Sequence, residues 1–138
     1  MTSYRIIDEP RLNKSQHLIV DPTLILFAAM LVPMLVNIPL YGKFWLPFLW
    51  LMLNSFFLGS PTFWRECVYS VLGICAIAGV YLGYGYGIKT DVFASPKDVA
   101  PYVRVLLNAV YFISLYLVVF TQTGPFSIYQ YVRQGQHE

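Results

Sequence analysis

Four long stretches without a charged side chain divide this chain: residues 22–42, 44–64, 67–88 and 105–132. They contain 21, 21, 22 and 28 residues. A helix needs about 20 apolar residues to cross a hydrocarbon core ~30 Å thick. Each run is long enough, and lipid offers no partner for open backbone groups. The pattern predicts an all-α membrane protein, a bundle of about four transmembrane helices near 22–41, 44–58, 61–88 and 102–122. A polar N-terminal segment, 1–21, precedes them and an interfacial tail, 123–138, follows.

The boundaries carry local signals. Asp21 can cap the first helix, with Pro22 at the first helical position, where its missing N–H has no cost. Pro33 and Pro39 fall inside that span and predict kinks, with Asn37 between them as a donor for freed carbonyls. Gly42 and Lys43 are the expected turn into span two. That span stops near Leu58 at Gly59-Ser60-Pro61, leaving about 15 apolar residues or ~23 Å. It is therefore expected to be short, crossing by thinning the bilayer or returning as a re-entrant arm. Crossing is favoured, because Phe63, Trp64 and Arg65 beyond the break are headgroup-level residues. Span three is expected to begin at Pro61 with Ser60 as cap, and with Arg65 and Glu66 facing headgroups. Asp98 is the expected cap of span four, and Gly124-Pro125 its end.

Composition agrees and narrows the class. Hydrophobic residues make up 57% and charged residues 12%, about half the charge of an ordinary soluble domain. That excludes both a typical soluble domain and a disordered chain. A net charge of +2, with no basic stripe interleaved with aromatics, points away from nucleic acid. The first 21 residues hold no apolar core, so the first span is expected to serve as an uncleaved targeting signal. Five basic residues (Arg5, Arg11, Lys14, Arg65, Arg133) fall on the side of the termini and four (Lys43, Lys89, Lys97, Arg104) on the other. Three of the five precede span one, which places both termini in the cytoplasm.

Little chemistry is written into the spans. His17 and His137 both lie outside them, and no His, Cys, Asp or Glu cluster has metal-ligand spacing. No carboxylate pair, Ser–His or Cys–His arrangement is present. The expectation is a protein that is not an enzyme, with no cofactor and no metal. Cys67 and Cys75 lie eight residues apart on one predicted helix, ~12 Å along it and beyond disulfide reach. Asn37, Asn54 and Asn108 are candidates for interhelical hydrogen bonds, worth ~0.6–2 kcal/mol each.

The most specific pattern is a stripe of small residues. Gly79, Gly83 and Gly87 recur every fourth position, and Ala76 extends the same face. Such Gly-x-x-x-Gly repeats let two helix backbones approach closely. The face predicts either docking of a partner subunit or packing within the chain. Tyr81, Tyr84 and Tyr86 are expected to point to lipid or a partner. Gly83-Tyr84-Gly85 matches part of a potassium-filter sequence but lacks its Thr-Val and its pore helix. Aromatic residues, 17% of the chain, suit interfacial belts, and a quinone or lipid slot would use the same residues.

The short polar N-terminus, the Asp21-Pro22 start and the close pair of first spans resemble small inner-membrane subunits of secretion or conjugation machines. With so little chain outside the bilayer, the expected function is a non-catalytic integral membrane subunit. It would assemble through its helix faces into a larger bacterial inner-membrane complex of secretion, conjugation or respiratory type. Its expected partners are the lipid bilayer and other membrane subunits. The alternatives are a small immunity or exclusion protein that blocks a foreign pore or transfer apparatus, and a lipid- or quinone-handling subunit.

Overall fold

A computed structural model describes residues 18–35 and 40–135, without the side chains of 33–35, 40–42 and 135. The described residues form four helices and no strand: α1 (Pro22–Leu35), α2 (Leu40–Leu58), α3 (Phe63–Lys89) and α4 (Pro96–Gly135).

α1 starts as its sequence predicts. The Asp21 carboxylate accepts the Thr23 N–H at 2.9 Å and the Thr23 hydroxyl at 2.6 Å, so one orphan donor of the first turn is satisfied. The helix is described as far as Leu35. Its 14 residues cover only ~21 Å. Gly42 and Lys43, expected as the turn, lie within α2, and Pro47 is inside that helix. A continuous helix to Tyr41 would hold Pro33 and Pro39 within six residues and lose a ladder bond at each. Of the expected kink residues, Pro33 lies in the last turn of α1, and Asn37 and Pro39 lie outside the described residues.

α2 stops at the predicted break. Gly59 takes φ +63°, its N–H bonds the Phe56 carbonyl, and the Ser60 N–H bonds the Ser55 carbonyl. This is a Schellman closure, which requires a left-handed residue where glycine carries no Cβ penalty. α3 begins at Phe63, two residues later than expected, with Thr62 at the cap position. The Ser60 hydroxyl, expected to cap this helix, bonds the Glu66 carboxylate instead.

α4 departs most from expectation. It starts at Pro96, so Asp98 sits in its first turn rather than capping it. It then continues through Gly124-Pro125 to Gly135, 40 residues in all, or ~60 Å. Pro125 removes the bond to the Thr121 carbonyl. Around it the hydroxyls of Thr121, Thr123 and Ser127 bond the Val118, Phe120 and Gly124 carbonyls at 2.7, 2.8 and 2.7 Å. None of these three bonds reaches the carbonyl that Pro125 leaves free, that of Thr121, so the helix passes the proline without a side-chain substitute for the lost bond among the described residues.

α3 and α4 pack antiparallel and form the most extensive contact in the bundle. Their register is set where Gly73 meets Ser114. α2 runs parallel to α4, held by bonds from the Tyr111 hydroxyl to the Lys43 carbonyl (3.3 Å) and from the Gln122 amide to the Leu51 carbonyl (2.8 Å). The core is Ile25 and Ala29 of α1, Phe48 and Leu51 of α2, Ile77 of α3 and the Leu107–Val119 face of α4. Edge-on ring pairs of Phe44 and Phe48 with Tyr111 extend it. The start of α1, the α2–α3 turn and Gln122 lie at one end of the bundle, because Val20 bonds Asn54 and Gln122 bonds Leu51.

α3 and α4 are long and apolar enough to cross a membrane, whereas α1 and α2 are shorter apolar helices. The apolar stretches of α3 and α4 are only 17% and 28% buried, unlike the core helix of a water-soluble domain. Large hydrophobic side chains such as Trp64, Leu82, Val105, Ile113 and Phe120 cover the exterior.

Candidate functional site

Two features of α3 stand out, and they lie on different faces. The first is a buried polar cluster at the α2–α3 turn. Asn54, Ser55, Ser60, Glu66, Ser70 and Gln122 are all buried, and Glu66 is 0% exposed. Glu66 was expected to face headgroups. The register of the bundle turns it inward, because Glu66, Ser70, Gly73 and Ile77 form one continuous helix face and that face is the one α3 buries.

The tight turn shapes this cluster. The Ser60 hydroxyl donates to Glu66 Oε1 at 2.8 Å, and the Thr62 hydroxyl donates to the same oxygen. The Thr62 N–H reaches the Ser60 hydroxyl at 3.2 Å. Among the described residues Glu66 Oε2 has no partner, and neither do Ser55 Oγ, Ser70 Oγ, Gln122 Oε1 and Asn54 Nδ2, all of them buried. Ser114 pairs with Gly73, so Glu66, seven residues back along α3, is level with Gln122, eight residues on along α4. The Ser55 carbonyl receives the Ser60 N–H, which ties α2 to the same place.

The second feature is the small-residue stripe. It sits about a third of a turn round α3 from the buried face. Ala76, Gly79 and Gly83 are exposed, and a methyl group added at Gly79 or Gly83 would have no atom within 4 Å. Gly87, the fourth member, is different. It is buried, and a Cβ there would overlap the Phe93 ring. Tyr84, expected to face lipid or a partner, packs on the same loop: its hydroxyl donates to the Pro96 carbonyl at 3.0 Å. The stripe is thus split between an open part and a part that closes the α3–α4 connection.

The other expected contact residues also divide. Asn54 Oδ1 accepts the Val20 N–H at 2.8 Å across 34 residues, whereas Asn108 is exposed on α4. Cys67 and Cys75 are free thiols. Sequence reasoning missed Glu66, Ser70 and Gln122 as buried groups. The Glu-x-x-x-Ser-x-x-Gly spacing does mark one helix face, but nothing in it says whether that face looks in or out.

An apolar groove of about 300 Å³ opens between α1 and α2, lined by Ile25, Ala29, Val32, Lys43, Trp50 and Leu53 among others. Among the described residues, no group of three or more His, Cys, Asp or Glu side chains is placed to hold a metal. No protein-family model matches the chain, and no curated protein or solved structure is similar to it.

Proposed function

We propose that this chain is a non-catalytic integral membrane subunit that assembles through its helix faces into a larger inner-membrane complex. The observation that carries this reading is the uncovered part of the α3 stripe, within an exterior that is apolar on α3 and α4 alike. A glycine in a helix interior costs ~0.8–1 kcal/mol relative to alanine. Gly73 and Gly87 offset that cost through close contacts inside the chain. Gly79 and Gly83 make no such contact, and a partner helix at close backbone distance would supply it. Exposed Asn108 on α4 is a second group suited to a neighbouring helix.

The test is co-purification of the full chain from its native membrane in mild detergent, as wild type and as Gly83→Leu. The mutant should insert, accumulate and unfold as the wild type does, yet lose its partner. Wild-type association would sink the partner-face reading. The charge pattern puts both termini in the cytoplasm, and reporter fusions at Ser95 and Glu138 test that. A periplasmic reporter active at Glu138 and silent at Ser95 would reverse the orientation.

A lipid- or quinone-handling subunit is the second reading, favoured by the α1–α2 groove. A lipid or quinone that co-purifies with wild type in stoichiometric amount, and is lost when Ala29→Trp fills the groove, would support it.

A further inference from the structure

We propose that the inward side of Glu66 binds a single monovalent alkali cation. The carboxylate is sealed from solvent, and its two oxygens are treated differently: Oε1 takes the hydroxyls of Ser60 and Thr62, whereas Oε2 takes none. Three further oxygens without a partner are buried in the same end of the bundle. Ser70 Oγ lies one turn along the same face of α3. Gln122 Oε1 is held by the amide nitrogen anchored on Leu51, at the level of Glu66. Ser55 Oγ sits on the residue whose carbonyl is bound by the Ser60 N–H. They come from three different helices.

The chemistry of this set is specific. All the atoms are oxygens, which suit hard cations. The buried polar residues among those described include no Lys, Arg or His, so the described residues supply no buried counter-charge, and an isolated buried carboxylate is strongly disfavoured without one. One carboxylate with neutral hydroxyl and amide oxygens balances a charge of one; calcium sites commonly recruit several carboxylates. A proton on Oε2 would neutralise the carboxyl and satisfy one neighbouring oxygen by donating to it, leaving the other buried oxygens without a partner. A cation held at Oε2 takes further oxygen ligands, and Ser55, Ser70 and Gln122 hold the unpartnered buried oxygens of this end of the bundle.

The experiment uses the full chain in detergent. The thermal unfolding midpoint is followed during titration with lithium, sodium or potassium chloride, with choline chloride holding ionic strength constant. A ligand that binds only the folded state raises this midpoint by mass action. The midpoint should rise with at least one alkali ion and stay flat in choline. Glu66→Gln should abolish the rise while keeping an acceptor for Ser60 and Thr62. Ser70→Ala should shift the titration to roughly tenfold higher concentration, the loss expected for one oxygen contact of 1.4 kcal/mol. If Glu66→Gln fails to accumulate, Ser70→Ala carries the comparison. A wild-type midpoint equal in every salt, as a proton or water alone would give, overturns the proposal. So does an alkali-ion response that survives unchanged in Ser70→Ala and, where it folds, in Glu66→Gln.

Discussion

One line of small and polar residues on α3, Glu66-Ser70-Gly73-Ile77, is covered by α2 and α4, while a neighbouring line, Ala76-Gly79-Gly83, is left open. Both carry glycine at a position where helix backbones can approach, and both lie on the same apolar helix. Their roles differ because of what sits opposite. At Gly73 a neighbour occupies the space a side chain would need: a Cβ would stand 2.7 Å from Ser114 Cβ and 3.1 Å from a Phe48 ring carbon. At Gly79 and Gly83 the same atom would meet nothing. Close helix approach thus explains one glycine inside the chain, and the other set is uncovered by the chain's own helices.

The comparison can be broken first at Gly73. Gly73→Leu should destabilise the chain by about 3 kcal/mol or more, at the top of the range for overpacking. Heat or SDS unfolding in detergent would register this, and wild-type stability would mean that α3 and α4 do not touch there. The corresponding change at Gly83 meets no neighbour and should not destabilise the isolated chain.

Glu66→Leu should have the next largest effect. It removes the acceptor that buried Ser60 and half-buried Thr62 share, and leaving a buried hydroxyl without its acceptor costs about 1–3 kcal/mol. The same unfolding assay measures it, and Glu66→Gln should recover most of the loss. A smaller effect is expected at Gly87→Ala, about 1 kcal/mol, because the obstructing atoms belong to one movable ring, Phe93. Phe93→Ala in the same chain should relieve it, and additive losses would refute the contact.

The smallest effect sharpens the comparison most. Gly79→Ala and Gly83→Ala should each raise the stability of the isolated chain by up to ~1 kcal/mol, through helix propensity alone. The partner complex should weaken at the same time. Opposite signs in the two assays are the signature of a face reserved for another helix.

Much of the local structure was legible. The capped start at Asp21-Pro22 and the break at Gly59 follow from backbone chemistry that involves only residues within a few positions of one another. The ends of α1 and α4 were less legible. The prolines of the apolar runs do not mark helix ends by themselves: α2 continues through Pro47 and α4 through Pro125. Proline in an apolar helix removes one ladder bond without obliging the chain to leave the helix.

The sequence by itself determined a helical bundle with four apolar runs, of which two, those of α3 and α4, form helices long and apolar enough to cross a membrane. It also determined that Cys67 and Cys75 stand too far apart along one helix to join. These properties depend on hydropathy and on rise per residue, which are summed along the chain. Only the tertiary structure decided that Glu66 looks inward, that Gly87 belongs to the α3–α4 closure and that Gly79 and Gly83 are uncovered. Those outcomes depend on the rotation of α3 about its own axis. That rotation is set by contacts with Phe48 and Ser114, residues 25 and 41 positions away from Gly73, and helical periodicity within α3 carries no information about them.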